Sequence, residues 1–392
     1  MKKALCLVLV TVWMVGLCFM GQVGEASAAS KAPIKVGLLI SLTGAYALTG
    51  QRVLPAVEMA IEEINKNGGI LGGRKIELYY EDDGGIPERA ASNVRKYAEA
   101  GCKGIIGTPW SHLAIAANEV CYELKLPVIH SSAMAEKAAT GQKSWCFNVT
   151  LDVAEQENSK NLLKYAPKPF KTVFLIVENQ DWARGAASRY EKMWQGRTPD
   201  EPKIVGKEIV ETNQTDFMSV LTKIKAANVD AILVSDTAAP AEAALIKQTK
   251  EAGLDQMMMK KKKMLFFVQG TLNVDMLELA GRAANGILSS ETFWPEMDLP
   301  SAQEFVQRYK AKAKGKVPDK ITCFSYSGAH HLLMAMDKAG TADDCDAINK
   351  GILNYEWDAP QGHIKMDPQA CRPIPKVYPV MAWDRKLVLL RD

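Results

Sequence analysis

Strand-like and helix-like runs alternate along almost the whole chain, and that alternation constrains the fold more than any single motif. IKVGLLIS (Ile34–Ser41) reads as a buried strand, and Val53–Asn67 follows with helical spacing up to Gly68 and Gly69. KIELYYEDD (Lys75–Asp83) is the next strand, followed by a helix from Pro87, a favoured first-turn residue, to about Ala100. KGIIGT (Lys103–Thr108) leads into a helix starting near Ser111, and LPVIHSS (Leu126–Ser132) is a further strand. Short apolar runs followed by a helical period, repeated in this way, predict parallel strands covered by helices.

A second series follows: helix Val153–Tyr165, strand TVFLIVEN (Thr172–Asn179), helix Trp182–Gln195, strand KIVGKEIV and helix Asp216–Ala227. Strand DAILVSD (Asp230–Asp236), helix Ala241–Ala252, MLFFVQG (Met264–Gly270) and GILSSETF (Gly286–Phe293) complete it. Two series of similar length predict two α/β lobes. Three helices without strands, at Ala302–Ala313, Thr322–Ala339 and Asp343–Leu353, predict a return to cover the first lobe. The short strands GHIKMD and VYPVMAW, after Asp358-Ala359-Pro360, are then expected to go back to the second. The expected division is residues 30–150 with 295–357 in lobe 1, and 151–294 with 358–392 in lobe 2. Several crossings between lobes form a hinge.

The first 29 residues carry an address. Lys2 and Lys3 precede an apolar run from Ala4 to Met20, and Ala26-Ser27-Ala28 supplies a small-x-small cleavage site. This is the pattern of a secretory signal peptide cleaved near Ala28, with an uncleaved anchor as the alternative. The residue before Cys18 is Leu17, whereas lipid attachment needs a small one. The mature chain of about 364 residues is long enough for two domains. Its net charge falls from +3 to +2 without Lys2, Lys3 and Glu25, too small to imply nucleic acid or an anionic membrane as partner. The run Lys260-Lys261-Lys262-Lys263 reads as a solvated loop rather than a docking patch.

Six cysteines remain beyond the leader, and an oxidising compartment permits disulfides. Cys102 and Cys121 form the most plausible local pair, and no CxxC is present to hold zinc or run redox chemistry. In open α/β sheets ligands sit beyond the carboxyl ends of strands. That points to the loops after Ser41, Thr108, Ile129, Asn179, Asp236 and Gln269. His112 and His130 both end near this edge, while His330-His331 falls inside a helix and suits surface plus packing.

IKVGLLISLTGAYALTGQ, AIEEINKNGGILGGRKIELYYEDD, KGIIGTPWS, LPVIHSSAM, VENQDWARGAA and FVQG followed by LNV occur in this order between Ile34 and Trp383. In order and spacing they resemble the leucine/isoleucine/valine-binding family of type I periplasmic solute-binding proteins. The resemblance implies an α/β fold of two lobes, each a largely parallel sheet flanked by helices, with a three-crossover hinge. It implies a periplasmic, monomeric, non-enzymatic receptor that closes on a small solute and hands it to the permease subunits of an ABC importer, without metal or cofactor.

Carried over position by position, the resemblance makes Ser111 the hydroxyl that holds a ligand carboxylate; on its own it also reads as a helix cap. Ser132, Ala133 and Met134 match the second carboxylate loop, where relatives offer threonine in place of Met134. Trp182 matches an aromatic position of the second lobe, and Trp110, Tyr46 and Thr49 flank the same pocket. Ala238 stands where the family has tyrosine. Gln269 stands where it has the acid that pairs with the ligand ammonium. Burying an ammonium without a counter-charge is costly, so either Asp236 or Glu291 replaces the acid or the ligand is an uncharged or anionic solute.

An enzyme finds little support: the chain has no G-x-S-x-G elbow, no P-loop and no G-x-G-x-x-G after a strand. A hydrolase using His130 is the weakest alternative. A sensor of the same fold is the other one, to be told from a transport receptor by its genomic neighbours.

Overall fold

The computed structural model describes residues 32–148, 151–236, 238–254, 265–270, 272–374 and 376–391. The leader and the Lys260–Lys263 run lie outside them, as do the side chains of Asp236 and Gln269. Everything below concerns the unit Pro33–Asp392.

The first sheet has the order β2-β1-β3-β4-β5, with β1 (Ile34–Ile40), β2 (Ile76–Asp82), β3 (Ile105–Ile106), β4 (Val128–His130) and β5 (Ser144–Cys146), all pairs parallel. Each strand but the last two is followed by its helix: α1 (Ala47–Lys66), α2 (Pro87–Glu99) and α3 (Ser111–Glu123). In β1 every residue but Lys35 is buried, as a central strand covered on both faces requires.

The second sheet contains β6 (Thr172–Glu178), β7 (Lys203–Val210), β8 (Ala231–Asp236), β9 (Leu265–Gly270) and β10 (Leu288–Glu291). Between them run α4 (Leu151–Tyr165), α5 (Asp181–Met193), α6 (Met218–Ala227), α7 (Ala239–Glu251) and α8 (Val274–Ala280). The strand order β16-β15-β10-β9-β8-β6-β7 includes β15 (Tyr378–Trp383), which runs antiparallel to β10, and β16 (Lys386–Leu389). Helices α9 (Pro300–Lys312), α10 (Lys320–Ala339) and α11 (Cys345–Asn354) return to the first lobe, where α10 packs on α1 and against β3 and β4.

Two small ribbons, β11 (Trp357–Ala359) with β12 (Gly362–Ile364) and β13 (Met366–Asp367) with β14 (Arg372–Pro373), pack against α9, α11 and β5. Arg372 ties the second ribbon down. Its guanidinium is buried and donates to the carbonyls of Ala133 (2.7 Å), Ala135 (2.9 Å) and Asn148, while Cys371 accepts from the Cys146 N–H at 3.1 Å. The expected Cys102–Cys121 bridge is corrected: both are buried free thiols.

Close backbone approach fixes how α1 meets the end of β1. A Cβ on Gly50 would sit 1.8 Å from the Ser41 carbonyl oxygen, so only glycine lets the helix lie there. Gly50→Ala is expected to lower the unfolding free energy by about 1–3 kcal/mol, as overpacked sites do, read from urea denaturation. An unchanged midpoint would mean that α1 does not rest on Ser41.

Candidate functional site

The carboxyl ends of the first sheet face the second lobe across a cleft, and a small cavity lies between them. Tyr46 reaches it from the loop after β1. That loop is ordered by Asp82, which accepts from the Leu42 N–H (2.6 Å) and the Thr43 hydroxyl (2.6 Å), and by Asp83, which accepts from the Ser41 hydroxyl at 2.5 Å. Trp110, Ser111 and His112 come from the start of α3, and Tyr46 stacks on Trp110 with ring centroids 4.4 Å apart. Ser132 and Met134 come from the loop after β4. Gln180 and Trp182 arrive from the start of α5 in the other lobe, and Met134 shares an apolar cluster with Trp182 and Ala183.

The polar equipment of this cavity suits an anion. Trp110 and Gln180 hold the N-cap positions of α3 and α5, and neither caps its helix with its side chain. First-turn N–H groups at two helix N-termini, one per lobe, therefore carry partial positive charge towards the same space. The Ser111 hydroxyl accepts from the Ala135 N–H (3.0 Å) and the Ser132 hydroxyl from the Asn148 amide (3.0 Å), which leaves each its own proton to donate. Burial holds the His112 imidazole below its ordinary pKa, opposed by its bond to the Gly85 carbonyl and by Asp181. Among the described residues that line the cavity none is a carboxylate. Asp181 is exposed and lines an open groove with Arg189 and Glu136, which pair across the lobes.

Six of the eleven residues expected from sequence meet in this cavity: Tyr46, Trp110, Ser111, Ser132, Met134 and Trp182. Three do not line it. Thr49 is buried one turn into α1. Ala133 is fully buried, with its carbonyl taken by Arg372 and the Cys146 thiol. Ala238 precedes α7 and lines a separate cavity with Gly44, Leu48, Thr212 and Thr215. Asp236 and Gln269 end β8 and β9, whose registers pair Ser235 with Gln269 and Asp236 with Gly270. Glu291, the other acid proposed to face a ligand ammonium, lies elsewhere: it is 1% exposed, paired with Lys320 at 2.7 Å and accepting from the Leu272 N–H.

Sequence reasoning missed Pro109, Gln180, Ile321 and the positioning role of Arg372. Gln180 had a signal, since it precedes the helix that carries Trp182; Ile321 and Arg372 come from segments far along the chain, where no local pattern betrays them.

A family model described as periplasmic binding protein matches residues 33–386. The chain belongs to that family. It is similar to Leu/Ile/Val-binding protein homolog 2 of Brucella abortus (strain 2308), 25% identical over 333 residues and covering 84% of each chain. In fold it is similar to the branched-chain amino acid transporter substrate binding protein LivJ of Streptococcus pneumoniae in complex with isoleucine (21% identity, TM-score 0.79, 91% of this chain and 97% of that one). It is equally similar to an R. palustris ABC transporter solute binding protein in complex with 4-hydroxybenzoate (19% identity, TM-score 0.79, 92% and 96%). These likenesses fix a type I, two-lobe periplasmic binding fold of the leucine/isoleucine/valine-binding family. The family and its fold are those of binding proteins, not of enzymes. No described helix is long and apolar enough to cross a membrane.

His130, considered above near the cleft edge, lies behind the site. It is fully buried, bonds Asn118 through Nε2 at 2.8 Å and packs against Gly107, and burial pushes its pKa down to about 3. His331 is buried too, donating through Nε2 to the Ile352 carbonyl (2.8 Å), with its pKa pushed down to about 4. A histidine whose folded pKa lies below its unfolded value binds its proton first in the unfolded chain. Stability is therefore present above pH about 6.5 and is lost as pH falls towards the folded pKa. His331→Gln should flatten the pH dependence of the unfolding free energy between pH 6 and 4 by about one proton, about 1.4 kcal/mol per pH unit. Urea denaturation across that range reads it, and parallel curves for the two proteins would contradict the neutral, buried state.

Proposed function

We propose that this chain is the extracytoplasmic solute receptor of an ABC importer, and that its solute is a small carboxylate without an ammonium group, with an aromatic or aliphatic body. The observation that carries the reading is the cavity's one-sided polarity. Two uncapped helix N-termini and two serine protons meet a carboxylate, the Tyr46–Trp110 stack and Trp182 cover an apolar body, and no described lining residue neutralises a cation. An ammonium closed into such a space loses its hydration without compensation. The solved relative that holds 4-hydroxybenzoate supports the same ligand class.

Capture proceeds by closure. Ligand held by Ser111 and the start of α3 on one lobe gains Gln180, Trp182 and the start of α5 from the other. It favours the closed arrangement to the extent that it binds that arrangement more tightly. The permease then reads the closed surface. A second reading, a branched-chain amino acid, is favoured by the name of the Brucella relative and by the isoleucine in LivJ. It assigns the counter-charge to Asp236 at the end of β8.

A thermal-shift panel of benzoate, 4-hydroxybenzoate, leucine, isoleucine and valine tests the choice. A ligand at a hundred times its dissociation constant stabilises by about 2.7 kcal/mol. Stabilisation by the benzoates alone is expected; stabilisation by leucine that vanishes in Asp236→Asn would establish the second reading. For the ligand so found, Ser111→Ala should weaken binding about tenfold to a hundredfold through loss of a hydrogen bond to a charged group, and Trp182→Ala at least tenfold. Wild-type affinity in both variants would place the ligand outside this cavity.

A further inference from the structure

A second cavity lies at the hinge and shares no lining residue with the one in the cleft. We propose that it is a second small-molecule site, which takes a compound with a ring-sized apolar body and a protonated amine and couples its own occupancy to closure of the lobes. The proposal does not depend on which solute occupies the cleft.

The apolar body is matched by Phe293 and Trp294, on the segment that crosses between lobes, and by Leu277 of α8, all three almost completely buried. The amine is matched by Asp319. This carboxylate is 3% exposed, and its Oδ1 accepts both from the Thr322 N–H (2.8 Å) and from the Thr322 hydroxyl (2.7 Å). Its Oδ2 accepts no hydrogen bond among the described residues. A buried carboxylate oxygen without a donor is costly, and a ligand ammonium removes that cost.

Of the other charges that line the cavity, Glu296, Arg385 and Lys386 are exposed to solvent, and Glu278 lies 3.8 Å from Arg52. Lys320 pairs with Glu291 at 2.7 Å. Arg52 holds Asp275 through Nε (2.8 Å) and donates through Nη1 to the Val317 carbonyl (2.8 Å). Asp319 is thus the buried acid in this cavity that a cation completes, and the faces of Phe293 and Trp294 favour a cation as well.

The position gives the site a consequence. Val317 and Asp319 belong to the first lobe, Leu277 and Glu291 to the second, and Phe293 and Trp294 to the crossing itself. A molecule that touches all three prefers one setting of the hinge. By linkage, ligand in the cleft and ligand at the hinge then alter each other's affinity by the same factor.

Calorimetric titration with benzylamine tests the site, using the full chain, Val317→Trp to fill the cavity, Asp319→Asn to remove the charge, and Trp182→Ala as a cleft control. Asparagine caps a helix about as well as aspartate, so α10 keeps its start in Asp319→Asn. The expected result is saturable binding by wild type and Trp182→Ala, at least tenfold weaker binding by Asp319→Asn, and none by Val317→Trp. Benzyl alcohol should bind wild type at least tenfold more weakly than benzylamine. Absence of saturable benzylamine binding to wild type overturns the proposal, as does binding lost in Trp182→Ala but kept in Val317→Trp. If melting curves show that Val317→Trp does not fold, Asp319→Asn decides alone, and unchanged affinity there overturns the proposal.

Discussion

A parallel strand must be followed by a crossover, and a crossover helix starts beside the carboxyl end of the strand it leaves. That rule aims helix N-termini at one edge of each sheet. When two such sheets face each other, the partial positive charges of α3 and α5 meet in one cleft with no charged side chain needed to create them. The binding chemistry proposed here thus follows from strand order before any particular residue is chosen. In the proposed site, side chains then refine it: Ser111 and Ser132 offer donors, while Tyr46, Trp110 and Trp182 line the cavity.

Charge is handled differently at the cleft and at the hinge. The hinge buries full charges and matches them across the lobes, Arg52 with Asp275 and Lys320 with Glu291. Removing one member of such a pair strands the other, so these contacts fix the arrangement of the lobes more than they add stability. Burial still lifts the Glu291 carboxyl above its ordinary pKa, against the pull of Lys320. Arg372 is compensated without an acid, by a fan of carbonyls, and in that way it holds the Ser132–Met134 loop at the cleft. The cleft itself keeps only dipoles and hydroxyl protons among its described lining, which leaves room for a ligand to bring the charge.

Local chemistry was legible in the sequence, and long-range closure was not. Periodicity gave the strand–helix alternation because burial on both faces leaves Lys35 as the one charged residue of β1 and keeps Ala231–Val234 of β8 apolar. Trp110, Ser111 and Trp182 were placed near the cleft by the family resemblance together with the rule that ligands sit beyond strand ends. Arg372 binds carbonyls more than two hundred residues away, and nothing beside it in the chain announces that. The proposed Cys102–Cys121 pair failed for a related reason: proximity in sequence does not bring two buried thiols face to face. Glu291, a candidate counter-charge by sequence, is taken up by Lys320, which pairs with it in the fold.

Calorimetric titration of the purified protein with 4-methylpentanoate and with leucine isolates the central claim, because the two solutes share a carboxylate and an apolar body and differ by the ammonium. The expected result is saturable binding of 4-methylpentanoate with leucine at least a hundredfold weaker, about 2.7 kcal/mol, which lies within the cost of burying an unmatched polar group. Tighter binding of leucine would contradict the claim and show that the closed cleft supplies a counter-charge to the ammonium.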